Sequence, residues 1–196
     1  SACGENDDID KIIPLNDMKG YELLKATMFG FGYPNYGVAL LLKEEATGKI
    51  FLQRVKITGS NAKPRILEIF KDEVIGLPGI PTVSALPLNG PEYMFFAVDK
   101  NVYCLDLNNI TKPVTLYKSF DANLVAMNAE SETYSCAHMA VGLENGEFYI
   151  LMIYGAKNLS EEEKVIYPKH GAAYPAEERM GRIVDIKYKQ LDHWNY

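Results

Sequence analysis

Nine residues from Met28 to Tyr36, MFGFGYPNY, set four aromatic rings in a stretch punctuated by glycine and proline. Phe29, Phe31, Tyr33 and Tyr36 offer flat apolar faces, and Tyr adds a hydroxyl, which is the chemistry of stacking on a sugar ring or a peptide. The competing role for the same rings is packing between sheets at strand ends. A second stretch with binding chemistry is the long insertion Gly155 to Met180, which carries Tyr167, Tyr174 and the acidic run Glu161-Glu162-Glu163. Insertions of this length are uncommon unless they are functional or mobile. The charge run itself fits a solvated face. The ligand-binding candidates are therefore Phe29, Phe31, Tyr33, Tyr36, Tyr167 and Tyr174.

Residues for bond-making chemistry are sparser. The three histidines, His138, His170 and His193, have no metal-ligand spacing with each other or with cysteine, so no metal is expected. No G-x-S-x-G, phosphate-loop or dinucleotide fingerprint occurs, and Gly30-Phe31-Gly32 lacks both the third glycine and a following helix. No cofactor is expected. Asp99, Asp106, Asp121 and Asp185 fall at strand ends or turns, where a carboxylate pair could cleave glycosidic bonds. Capping of turns accounts for them more cheaply. No catalytic residue is assigned, and a non-enzymatic protein is expected, with a glycan- or peptide-processing enzyme as the alternative.

The chain has 196 residues and a net charge of −6, with 47% hydrophobic and 23% charged residues. That suffices for one domain with its own core. An acidic chain without a Lys/Arg cluster lacks the face needed to neutralise phosphates, which excludes a nucleic-acid partner. No apolar run approaches the roughly 18 residues of a membrane helix. Of three cysteines, Cys104 and Cys136 lie in strand-like segments and read as buried thiols, a disulfide requiring that their strands face each other. Cys3 has a different context. Ser1-Ala2-Cys3-Gly4 resembles the end of a bacterial lipobox, and the acids Glu5, Asp7, Asp8 and Asp10 resemble the export signal of Bacteroidetes surface lipoproteins. The resemblance implies acylation at Cys3, with residues 1–17 as an acidic tether; an internal fragment with a chance cysteine is the competing reading.

The elements that must position these residues are short strands. Tyr93 to Asn108 holds two apolar runs about the turn Asp99-Lys100-Asn101 and reads as a tight hairpin. The same grammar recurs on either side of it. Strands are expected at Tyr21–Gly32, Tyr36–Lys43, Lys49–Thr58 and Arg65–Phe70, then at Glu73–Leu77, across the central hairpin and at Val114–Phe120. A third set covers Leu124–Asn128, Ala137–Gly142, Phe148–Ile153 and Val165–Tyr167. Ile50, Val102 and Phe148 sit 52 and 46 residues apart, and the closing strands at Ile66, Thr115 and Val165 are 49 and 50 apart. A period near 50 with four strands per unit is the signature of β-propeller blades. Gly181–Lys189 reads as one more strand, able to pair with the N-terminal strand. The expectation is an all-β, propeller-like domain over 18–190, with about three four-stranded blades, one extra strand, an incomplete ring and a tail at 191–196. A β-sandwich is the alternative.

Gly20-Tyr21-Glu22-Leu23-Leu24, Thr47-Gly48-Lys49-Ile50, Ser84-Ala85-Leu86-Pro87, the Tyr93–Asp106 hairpin and Gly181-Arg182-Ile183-Val184-Asp185 together resemble the C-terminal propeller-like part of the PKD-like family of Bacteroidetes lipoproteins. The resemblance spans roughly residues 18 to 190, and the chain departs from the family layout in having no PKD-like module before the blades. It implies a lipid-anchored protein on the outer membrane, exposed at the cell surface beside a SusC/SusD-type importer. There it would bind a protein partner or a nutrient ligand. Open sheet edges would also allow oligomers, so a purely architectural module is a further alternative.

Overall fold

The computed structural model describes residues 18–30, 36–58, 65–86, 93–133, 136–154 and 184–185. Among these the protein is all-β, built of three antiparallel sheets. The chain divides after the first sheet into two compact units, Ser1–Asp72 and Glu73–Tyr196.

The first unit contains one meander, β1 (Tyr21–Gly30), β2 (Tyr36–Glu44), β3 (Ile50–Thr58) and β4 (Arg65–Glu73), in sheet order β1-β2-β3-β4. Its inner strands bury residues on both faces. Leu40, Leu41 and Leu42 are consecutive in β2 and all buried, as are Leu52 and Val55 in β3. A run of this kind belongs in the middle of a sheet, whereas the outer strands mix charged and apolar positions. A bulge at Leu24 shifts the β1 register, so that Leu23 faces Leu42 and Lys25 faces Leu41.

The second unit contains two sheets. One is β5 (Val83–Ala85), β6 (Tyr93–Val98), β7 (Asn101–Asp106) and β8 (Thr115–Ser119); the other is β9 (Leu124–Thr133), β10 (Cys136–Leu143) and β11 (Phe148–Tyr154). Phe95, Ala97 and Val102 of the former pack with Met139, Val141, Leu151 and Ile153 of the latter in one core. Full burial of a side chain such as Phe95 contributes about 1.5–3 kcal/mol. The first strands of the two sheets, β5 and β9, approach each other. Beside them Thr82 offers its hydroxyl to the carbonyls of Ala97 (3.4 Å) and Leu124 (3.3 Å). The hairpin tip ties the sheets together as well, since the carbonyls of Lys100 and Asp99 accept from the N–H groups of Phe120 and Leu124, each at 2.9 Å.

The expected hairpins are present with small shifts. The β6–β7 turn is only Asp99-Lys100, with Asn101 already paired to Val98 and Asp99 at φ 52°. At Glu144–Glu147, Gly146 takes φ 88°, while Asn145 uses its side-chain oxygen to accept the Glu147 N–H at 3.1 Å. One expected strand is corrected. Glu73–Leu77 does not open the second sheet: Glu73 ends β4, residues 74–82 are irregular, and β5 opens the sheet at Val83. Pro78 and Pro81 deny ladder donors, and Gly76 turns the chain at φ 85° with the site of a Cβ only 3.0 Å from Pro113. The Ile75 carbonyl accepts from Val114 N–H at 2.8 Å instead.

A fourth strand in the third sheet, expected at Val165–Tyr167, lies outside the described residues. Of the expected strand Gly181–Lys189 only Val184 and Asp185 are described; they belong to no strand, and Val184 is 84% exposed. The described sheets form no closed ring, so the architecture stands as three antiparallel sheets.

Candidate functional site

The aromatic stretch Met28–Tyr36 is placed by the β1–β2 hairpin. Phe29 lies opposite Gly37 and Gly30 opposite Tyr36, so Phe29 and Tyr36 occupy the last rungs of the ladder. Phe31 and Tyr33, in the connection between the strands, lie outside the described residues. Met28, the last rung whose side chain is described, is half-exposed opposite Val38. In an antiparallel meander, the turn between the first two strands and the end of the third strand share one end of the sheet. β11 finishes at Tyr154, opposite Cys136, which in turn lies opposite Thr133. β11 therefore finishes at the end of the third sheet equivalent to that carrying Phe29 and Tyr36 in the first. Tyr167, Tyr174 and Cys3 themselves lie outside the described residues, as do His170 and His193.

Of the four candidate acids, Asp106 holds a turn. Asp106, the last residue of β7 and opposite Tyr93, caps a short 3-10 turn at Leu107–Asn109; its two carboxylate oxygens accept from Asn108 N–H (2.9 Å) and Asn109 Nδ2 (2.8 Å). Asp99 and Asp121 are exposed at loop positions, as is Asp185. His138 sits on β10 between Glu130 and Met152, half-buried. Cys104 faces Phe95 and Thr115 on the neighbouring strands and forms no disulfide. Tyr117 packs against Phe95 with ring centroids 5.1 Å apart; burial, with Cys104 and Tyr93 nearby, pushes its phenol well above the usual tyrosine range.

Two arrangements in the first sheet had no signal in the sequence. On one face, Arg54 of β3 reaches Asp72 of β4 at 3.3 Å and lies 5.2 Å from the Phe70 ring centroid. On the other face, Tyr21 and Phe51 form a perpendicular pair over which Lys71 places its ammonium. The partners come from three strands 20 and 30 residues apart. Only the register of the sheet reveals that they meet. Gln53, 1% exposed, has its side-chain oxygen Oε1 without a donor among the described residues. With Ile50, Val102 and Phe148 as equivalent points, Gln53 stands where the other two sheets bury Leu105 and Leu151.

Among the described residues no helix is long and apolar enough to cross a membrane, which says nothing about strands. No family model matches the chain, and no curated protein is similar to it in sequence.

Proposed function

We propose that this chain is a non-enzymatic binding domain of a cell-surface lipoprotein, with propeller-like blades as a rigid frame and an aromatic loop as its contact surface. The observation that carries the reading is the repeated meander. Two sheets run through four strands in chain order and the third through three, and in the second unit the first strands β5 and β9 lie nearest each other, as inner strands of adjacent blades do. Phe29 and Tyr36 occupy the last rungs of the β1–β2 ladder at one end of the first sheet. The ligand is a glycan or peptide nutrient, or a protein partner beside an outer-membrane importer, and Cys3 is the acylated anchor.

Glycan and peptide arrays probed with the full chain, with Phe29→Ala and Tyr36→Ala beside it, test the contact surface. Binding that falls about tenfold or more in either variant supports it, since an aromatic stacking contact contributes about 0.5–1.5 kcal/mol beyond its buried area. Binding that is unchanged in both removes the loop from the reading. Anchoring is tested separately by metabolic labelling with a palmitate analogue in cells, which should mark the wild type and not Cys3→Ala.

A further inference from the structure

Among the described residues Lys71 in the first sheet has no carboxylate or carbonyl partner; its partners there are two aromatic rings. Tyr21 lies opposite Glu44 and Phe51 opposite Leu42, positions two residues apart on β2, so both rings rise from one face of the sheet. Their centroids are 5.7 Å apart and their planes stand at 88°, which makes a corner. The Lys71 ammonium sits 3.4 Å from the Tyr21 centroid and 5.8 Å from that of Phe51. At the tip of the Tyr21 ring, the Glu44 carboxylate accepts the Tyr21 hydroxyl at 3.3 Å and the hydroxyl of Thr47. Two π faces, one of them on a phenol hydrogen-bonded to a carboxylate, give a region of negative potential suited to a cation.

The resident cation is a poor match for that region. A primary ammonium carries three N–H donors, and ring faces satisfy them weakly, so Lys71 gives up hydration on the side that touches the rings. A quaternary ammonium has no donors to satisfy and spreads its charge over methyl groups that fit flat against aromatic faces. The rim is also apolar. Leu23, 51% exposed, lies opposite Leu42 in the same row as Phe51, and Ile69, 48% exposed, is two residues before Lys71 on β4. On leaving, Lys71 regains water and side-chain freedom, which lowers the cost of displacing it.

We propose that the Tyr21–Phe51–Glu44 corner is a receptor for a quaternary ammonium group, and that Lys71 is a resident which such a ligand displaces. The site uses the first sheet alone and stands apart from the loop surface proposed above.

The test is an NMR titration of the full chain with tetramethylammonium, following the Tyr21 and Phe51 ring resonances, with tert-butanol as a neutral control of similar shape. Saturable shifts are expected, with binding about tenfold tighter in Lys71→Met and about tenfold weaker in Tyr21→Leu and in Phe51→Leu. Tyr21→Phe, which keeps the ring, should stay within about threefold of the wild type. Should Lys71→Met not fold, Lys71→Gln takes its place. A trimethyllysine peptide and phosphocholine, run alongside, distinguish a modified side chain from a lipid headgroup as the source of the group. Equal response to tert-butanol, or no saturation in a folded Lys71 variant, overturns the proposal.

Discussion

Gln53 places an amide oxygen, without a donor among the described residues, in a position that the other sheets fill with leucine. An unsatisfied buried acceptor destabilises by about 1–3 kcal/mol, so Gln53→Leu should raise the stability of the chain by about 1 kcal/mol, read as a higher midpoint in urea unfolding. Gly76 makes the opposite case. Its φ of 85° and the 3.0 Å approach of Pro113 leave no room for a methyl group, and Gly76→Ala should lower stability by about 1–3 kcal/mol in the same assay. Tyr117 links stability to pH. Its phenol titrates above the ordinary value of 10.0 in the folded chain, chiefly through burial. Below that value both states hold the proton and the contribution is fully present. As pH rises past it, the unfolded state releases the proton first, so stability falls. Urea unfolding across the range from about pH 9 to 11 should show this loss, by up to about 1.4 kcal/mol per pH unit above the unfolded value, and Tyr117→Phe should flatten it.

At the scale of elements, alternation and turn chemistry made most strands legible. The two-residue turn at Asp99-Lys100 and the Asn145-Gly146 loop lie where apolar runs stop, and β2, β3, β6, β7, β10 and β11 begin within a residue or so of their expected starts. Segments held by long-range bonds were harder to read. Val74 and Ile75 look like strand residues, but Gly76, Pro78 and Pro81 keep residues 74–82 out of a ladder, and Ile75 bonds to Val114 instead. β9 runs on to Thr133 because β10 supplies partners as far as Cys136, a support that no local pattern displays. The candidate site was legible only as composition: the sequence singles out Phe29 and Tyr36, but the ladder sets them on adjacent rungs. The Tyr21–Phe51–Lys71 corner depends on three strands meeting and left no local trace. The shared core of the second unit makes a further prediction. Leu151→Ala should cost about 2–5 kcal/mol and should speed amide hydrogen exchange in β6 and β10 together, because both sheets line the same interior.

For the molecule as a whole, the repeat fixes which ends of the sheets are comparable. Turns Glu45–Lys49, Asp99-Lys100 and Glu144–Glu147 lie at one kind of end and are rich in acids and lysines. The other kind carries Phe29, Tyr36, Tyr93 and Tyr154. The aromatic contact surface proposed above is of the second kind, and changing Glu45 or Glu144 to Gln should leave array binding within about twofold of the wild type, since exposed charges far from a contact have little effect.

The carbonyls of Asp99 and Lys100 give this repeat a direction. They point out of a finished hairpin and receive the amides of residues twenty or more positions later. A chain emerging from its amino end thus sets its own landing place before the segment that lands there exists, and the third sheet starts against the second, already formed. Circular permutants that open the chain between Phe120 and Leu124 reverse that order, and they should refold more slowly than the parent while reaching the same final structure.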